Sequence, residues 1–133
     1  MIEYRDTRDL APGDLEELFL SVEWASGRYP DRLAAAMKNY ETVWTAWDGG
    51  RLVGLVCALD DGVMTAYAHF LLVRPEYQGR GVGRRLMELM MDKYRDYLRV
   101  VLCGVNEKVG FYERLGFVVS EDSRAMFRTE LEN

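Results

Sequence analysis

The stretch LLVRPEYQGRGVGRRLMELM, Leu71 to Met90, constrains the fold more than any other part of the chain. An apolar run stops at Arg74-Pro75, where proline removes a ladder donor and pushes its neighbour out of helical geometry. Gly79, Gly81 and Gly83 follow at alternate positions, and Leu86, Leu89, Met90 and Tyr94 then recur along one stripe. A strand is therefore handed to a helix from about Gly83 to Arg95 through backbone almost free of side chains. Such a joint belongs to a sheet with a helix packed against it.

The flanking segments extend that sheet. Residues 1 to 5 predict a first strand. Thr7 or Asp9 is placed to cap a helix with Pro12 in its first turn and Leu10, Leu15, Leu18, Phe19 and Val22 on one face. After the loop Glu23 to Asp31, a second helix is expected from Pro30 to about Lys38. ETVWTAW, the turn Asp48-Gly49-Gly50, RLVGLVCAL, the turn Asp60-Asp61-Gly62 and VMTAYAHFLLV then read as successive strands. RVVLCGV, apolar almost throughout, predicts a buried strand. NEKVGFYERLG predicts a short helix stopped by Gly116, and FVVSEDSRAMFRTEL a closing hairpin. The order is βααβββαβαββ: an α/β chain with a mixed sheet and helices on its faces, one domain over residues 1–133.

Composition narrows the function. The formal net charge is −5, which argues against a general nucleic-acid binder. Yet residues 74–85 carry Arg74, Arg80, Arg84 and Arg85 against Glu76 alone, a basic island suited to one anionic ligand. Cys57 and Cys103 form neither a CxxC pair nor a zinc-ligand spacing, so no metal is expected, and they read as buried thiols of a reducing compartment. No signal peptide is apparent, and the longest apolar run, Leu52 to Leu59, is too short to span a membrane. A cytoplasmic protein with no membrane partner is expected.

Three glycine-rich motifs hold phosphates, and two fail here. The dinucleotide fingerprint needs a glycine where Arg84 stands, and a Walker A loop needs Gly-Lys-Ser/Thr where Gly83-Arg84-Arg85 stands. The remaining pattern is Gln78-Gly79-Arg80-Gly81-Val82-Gly83. Successive glycines let the backbone form a concave nest of N–H groups, and the helix starting there adds its positive end. A pyrophosphate fits such a nest.

With these residues in view, LLVRPEYQGRGVGRRLM resembles motif A of the GNAT superfamily of acyl-CoA N-acyltransferases, and NEKVGFYERLGF resembles its motif B. The stretch from Leu18 to Asp61 is similar to the branch that includes plastid-type serotonin N-acetyltransferases. The resemblance implies the GNAT fold, mixed and mostly antiparallel, and acetyl transfer from acetyl-CoA to a primary amine. It places the pyrophosphate on the backbone of Gly79, Arg80, Gly81, Val82, Gly83 and Arg84 next to Gln78. It places the pantetheine arm along Leu71, Leu72 and Val73, with the Val73 N–H polarising the thioester carbonyl. This requires the strand to splay from its neighbour.

The resemblance makes Tyr112 the general acid that protonates the leaving thiolate, a task a phenol can perform. Asn106 matches a position that contacts CoA, and equally suits a helix N-cap. The base is less determined. Some members use a strand glutamate, but TAYAHFLLV has no carboxylate. His69 shares strand parity with Leu71 and Val73 and titrates near neutrality, so it is one candidate; a non-catalytic sheet histidine is the alternative. Tyr67 could orient a water, or free amine could be taken from solution. Glu23, Trp24, Arg28 and Tyr29 in the loop between the first two helices are candidates for holding an amine by charge and cation–π contact. The family commonly forms homodimers. Transfer of a longer acyl group, or an acyl-CoA sensor without chemistry, are the rival readings.

Overall fold

The computed structural model describes residues 1–131. Five strands form one sheet in the order β1-β2-β3-β4-β5: β1 (Ile2–Asp6), β2 (Thr42–Asp48), β3 (Arg51–Asp60), β4 (Thr65–Val73) and β5 (Arg99–Leu102). The first four are antiparallel neighbours, and β5 runs parallel to β4. Helices α1 (Pro12–Ser21), α2 (Pro30–Met37), α3 (Val82–Lys93) and α4 (Val109–Glu113) complete the chain. No helix among the described residues is long and apolar enough to cross a membrane.

Each face of the sheet has its own core. On one, Leu15, Leu18 and Phe19 of α1 and Leu33 and Met37 of α2 meet Val43, Leu55, Cys57 and Leu72. On the other, Val82, Leu86, Met87 and Met90 of α3 meet Val53, Val56, Ala66, Ala68 and Val73. Leu86, Met90 and Tyr94 of the stripe read along α3 lie in this second core, whereas Leu89 is only partly buried outside it and Met87 is fully buried instead. Full burial of each such side chain is worth about 1.5–3 kcal/mol.

Several expectations are corrected. Helix α1 begins after Ala11 with no side-chain cap; the Thr7 hydroxyl instead accepts the Asp9 N–H at 3.2 Å, upstream of the helix. Strand β5 is not buried: it lies at the end of the sheet with Arg99 and Val101 exposed. An apolar run shows that a strand has two faces worth covering, not that both are covered. Asn106 opens a 3-10 turn, Asn106–Lys108, ahead of α4 and makes no side-chain cap. The closing hairpin is absent: residues 117–131 contain no strand. A two-stranded hairpin with no sheet beside it is marginal in water, so strand propensity in this segment is not enough to form one.

Candidate active site

The site begins where β4 loses a neighbour. Strand β5 pairs with Thr65 to Ala68 and stops at Leu102 opposite Ala68. Strand β4 runs on to Val73, held on one side by β3 through pairs that include Phe70 with Cys57 and Val73 with Gly54. The expected splay is thus a strand that outlasts its partner. A cavity of about 520 Å³ occupies the gap, with Phe70 to Val73 on one wall and Leu102 to Val105 on the other.

The floor is the glycine joint. Gly79 and Gly81 have φ of 77° and 84°, left-handed values that side chains disfavour, and a Cβ on either would meet nothing within 4 Å. Gly81 caps α3, whose first intrahelical bond runs from the Arg85 N–H to the Gly81 carbonyl at 3.0 Å. The N–H groups of Val82, Gly83 and Arg84 precede that bond at the positive end of the helix. Gln78 bridges floor and wall, donating from Nε2 to the Val73 carbonyl at 2.9 Å. Leu71, Leu72, Val73, Gln78, Gly79, Gly81, Val82, Gly83 and Arg84 all line the cavity.

The arginines divide. Arg74 is 5% exposed and donates from Nε to the Leu52 carbonyl at 2.7 Å, so its charge serves the core. Arg80 lies 5.2 Å over the Tyr77 ring and does not line the cavity. Arg84 sits at the cavity while its Nε reaches Glu88 at 3.3 Å. Arg84 and Lys108 are the cationic side chains that line the cavity.

Tyr112 of α4 lines the wall facing β4. Burial raises its phenol pKa above the ordinary value, so the proton is retained near neutrality. Its ring is seated by Gly104: a Cβ there would lie 2.8 Å from Tyr112 Cε2. Neither that dependence nor the lining residues Lys108 and Phe111 were legible from the motifs. Asn106 is exposed between the lining residues Val105 and Lys108.

His69 also lines the cavity, but the parity argument for it fails. In β4, Phe70 pairs with Cys57 and Ala68 with the adjacent Ala58, leaving His69 as the extra residue of a β-bulge. Ala66, Ala68, Leu71 and Val73 accordingly face the α3 core, while Phe70 and Leu72 face the other. The His69 ring stacks on Phe70 at 3.9 Å and on Tyr67 at 5.4 Å. Its Nδ1 shares a 2.5 Å hydrogen bond with the hydroxyl of Tyr40, a partner that sequence reasoning missed. Partial desolvation holds the imidazole below its ordinary pKa. The Tyr40 hydroxyl also hydrogen-bonds to Cys57, and burial lifts both groups, the thiol to about 12.

The loop residues separate. Trp24 lines the cavity and packs edge-on to Phe19 at 6.1 Å. Glu23 does not line it but holds φ of 61°, rare for a residue with a side chain, at the bend that delivers Trp24. Tyr29 is exposed beneath Arg32, and Tyr67 reaches the cavity only through its stack on His69. Of the two cysteines, Cys57 is buried, whereas Cys103 is exposed on the cavity wall. Among the described residues no cluster of His, Cys, Asp or Glu could hold a metal ion.

A strand that outlasts its neighbour, a glycine joint at a helix N-terminus and a tyrosine across the gap are now joined by a family match. The Acetyltransferase (GNAT) family model matches residues 8–117. The chain belongs to the GNAT acetyltransferase family.

Relatives of this chain include serotonin N-acetyltransferase 2, chloroplastic, of Oryza sativa, 33% identical over 125 residues and 90% of this chain. GCN5-related N-acetyltransferase 2, chloroplastic, of Arabidopsis thaliana is 32% identical across 86% of the chain. The chain spans 62% and 53% of these two proteins' lengths. Among solved structures, a GNAT family acetyltransferase of Streptococcus pneumoniae superposes with a TM-score of 0.83 at 26% identity, covering 98% of both chains. A putative acetyltransferase of Deinococcus radiodurans gives 0.81 at 27% identity, covering 97% of this chain and 88% of its own. The fold is the GNAT fold, with a mixed, mostly antiparallel sheet.

Proposed function

We propose that this acetyltransferase moves the acetyl group of acetyl-CoA directly to a primary amine of a small molecule or peptide. The observation that carries the reading is the juxtaposition of the glycine nest and Tyr112 on one cavity, at opposite sides of the open stretch of β4. The backbone N–H groups from Gly79 to Arg84 hold the pyrophosphate, and Gln78 fixes the end of β4 against them. Acetyl-CoA supplies the activated acyl group. Preorganised backbone donors along residues 71–73 stabilise the charge that develops on its carbonyl oxygen, the Val73 N–H foremost. Tyr112, protonated near neutrality, gives its proton to the departing thiolate.

His69 is the base in this reading. In this reading Nδ1 of His69 carries the proton and is engaged by the Tyr40 hydroxyl, which leaves the Nε2 lone pair for the amine. A depressed imidazole pKa keeps that lone pair available near neutrality. The sign follows: activity falls as pH drops through a value below the ordinary 6.5, and His69→Gln removes that acid limb. Trp24, beside the cavity, is the best-placed aromatic for an amine, and Glu23 contributes negative charge at its edge.

The test is thiol release from acetyl-CoA against a panel of arylalkylamines, polyamines, amino acids and short peptides. Release that depends on one amine class establishes the reaction and its acceptor. Binding of acetyl-CoA without release for any amine would overturn the reading in favour of a sensor.

A further inference from the structure

The glycines that shape the floor of the cavity do not hold it in shape. Gly79 and Gly81 give the backbone its left-handed turns and have no side chains to pack, and glycine loses more freedom on ordering than any other residue. Helix α3 stiffens one flank. The other flank is the 3-10 turn Pro75–Tyr77 that leads in from β4, and it is tied to the hairpin of β2 and β3 around Gly49-Gly50. Arg74, just before the turn, holds the Leu52 carbonyl through Nε at 2.7 Å and the Val53 carbonyl through its own N–H at 2.8 Å. Arg51 reaches Glu76 at 3.2 Å, an exposed pair of small worth. Tyr77 is 9% exposed and donates its hydroxyl to the carboxylate of Asp48, the last residue of β2. A hydrogen bond to an ionised acceptor is roughly twice as strong as a neutral one.

We propose that Asp48 and Tyr77 are positioning residues for the anion site, the hairpin acting through the Tyr77 hydroxyl to hold Gly79 to Arg84 in the form that receives the pyrophosphate of CoA. The inference rests on the pyrophosphate reading given above and adds two residues to it. Neither side chain lines the cavity, so neither touches the ligand. Their leverage comes from where Tyr77 sits. Its hydroxyl is fixed by the hairpin, and its ring lies under the guanidinium of Arg80 at 5.2 Å, the residue between the two left-handed glycines. The next residue, Gln78, donates to the Val73 carbonyl at 2.9 Å. The lead-in to the glycines is thus held at the hydroxyl, at the ring and at the neighbouring amide. Binding sites depend on such supporting contacts, because a ligand group must meet donors that are already in place. Read from the sequence, Asp48-Gly49-Gly50 is only a turn; in the fold it is the abutment of the anion site.

The experiment is calorimetry of CoA binding to the full chain, with a thermal melt of each protein. It needs no acceptor amine. Tyr77→Phe keeps the ring in the core and removes the hydroxyl, and Asp48→Ala removes its acceptor. Each is expected to weaken CoA binding about tenfold. The double variant should be no weaker than either single one, since both break the same contact. Asp48→Asn retains an oxygen that can accept from Tyr77 and should recover most of the affinity. Ala66→Leu is the control for general softening: it disturbs a buried position paired with Asp60 and Val100, and should lower the melting temperature with CoA affinity kept. Wild-type binding with affinity held within about twofold in Tyr77→Phe and Asp48→Ala would overturn the proposal and leave the pyrophosphate reading standing. Additive losses in the double variant, or an equal loss in Ala66→Leu, would overturn it as well. A wild type that does not bind CoA would overturn both.

Discussion

Strand β4 is two strands in one. From Ala66 to Ala68 it is laddered on both sides, by β3 and by β5. From Phe70 to Val73 it keeps β3 and faces the cavity. The first half has its backbone groups committed and its alanines at 66 and 68 buried among α3 side chains. The second half, Phe-Leu-Leu-Val, is as free of charge as the first, Thr-Ala-Tyr-Ala, and lacks a second strand neighbour. The lesson is that a binding edge needs no special residues of its own. It needs a neighbour that ends early, a bulge that marks the boundary, and a glycine joint that keeps the gap open.

This contrast can be broken at defined places. The largest effect is expected at the wall opposite the open half. Tyr112→Phe should lower the maximal rate by roughly 10²–10⁴-fold while affinity for acetyl-CoA stays within about twofold. Stopped-flow rates and calorimetry read the two separately, and an unchanged rate across pH would remove Tyr112 as the acid. Next comes the floor. Gly81→Val forces a β-branched residue into φ of 84° and puts methyls beside the proposed phosphate site. Strain of roughly 1–3 kcal/mol should appear as about ten- to hundredfold weaker binding of CoA by calorimetry. Gly83→Ala is the control: its Cβ meets Phe111 at an ordinary 3.7 Å, so binding should barely change. The smallest effect on activity belongs to the laddered half. Ala66→Leu overfills a fully buried site and should cost about 1–3 kcal/mol in denaturant melts, with the Michaelis constant for acetyl-CoA unmoved. A large shift in that constant would mean that the two halves are not independent.

Much of this was legible in the sequence because the signals were local. The glycine joint, the apolar stripe of α3, the β2–β3 turn at Asp48-Gly49-Gly50 and the tyrosine of α4 each depend on residues a few positions apart. What escaped was set by distant contacts. Tyr40 reaches His69 across 29 positions, and nothing in either neighbourhood announces it. Gly104 reads as an ordinary strand end until Tyr112 is seen against it. Arg74, counted in the basic island, is spent on the Leu52 carbonyl. The C-terminal hairpin was read from propensity, and propensity without a sheet to join does not make a strand.

The bulge has one further consequence. Because Ala58 pairs with Ala68 and Cys57 with Phe70, the β3–β4 ladder is continuous without His69. Remove that residue and Ala68 would precede Phe70 with each already facing its own core, the alternation of a regular strand. The sheet would lose an irregularity, and the cavity would lose its only imidazole. His69 thus has the character of an insertion: one residue that the strand pairing can spare, held in place by its stack on Phe70 and its hydrogen bond to Tyr40.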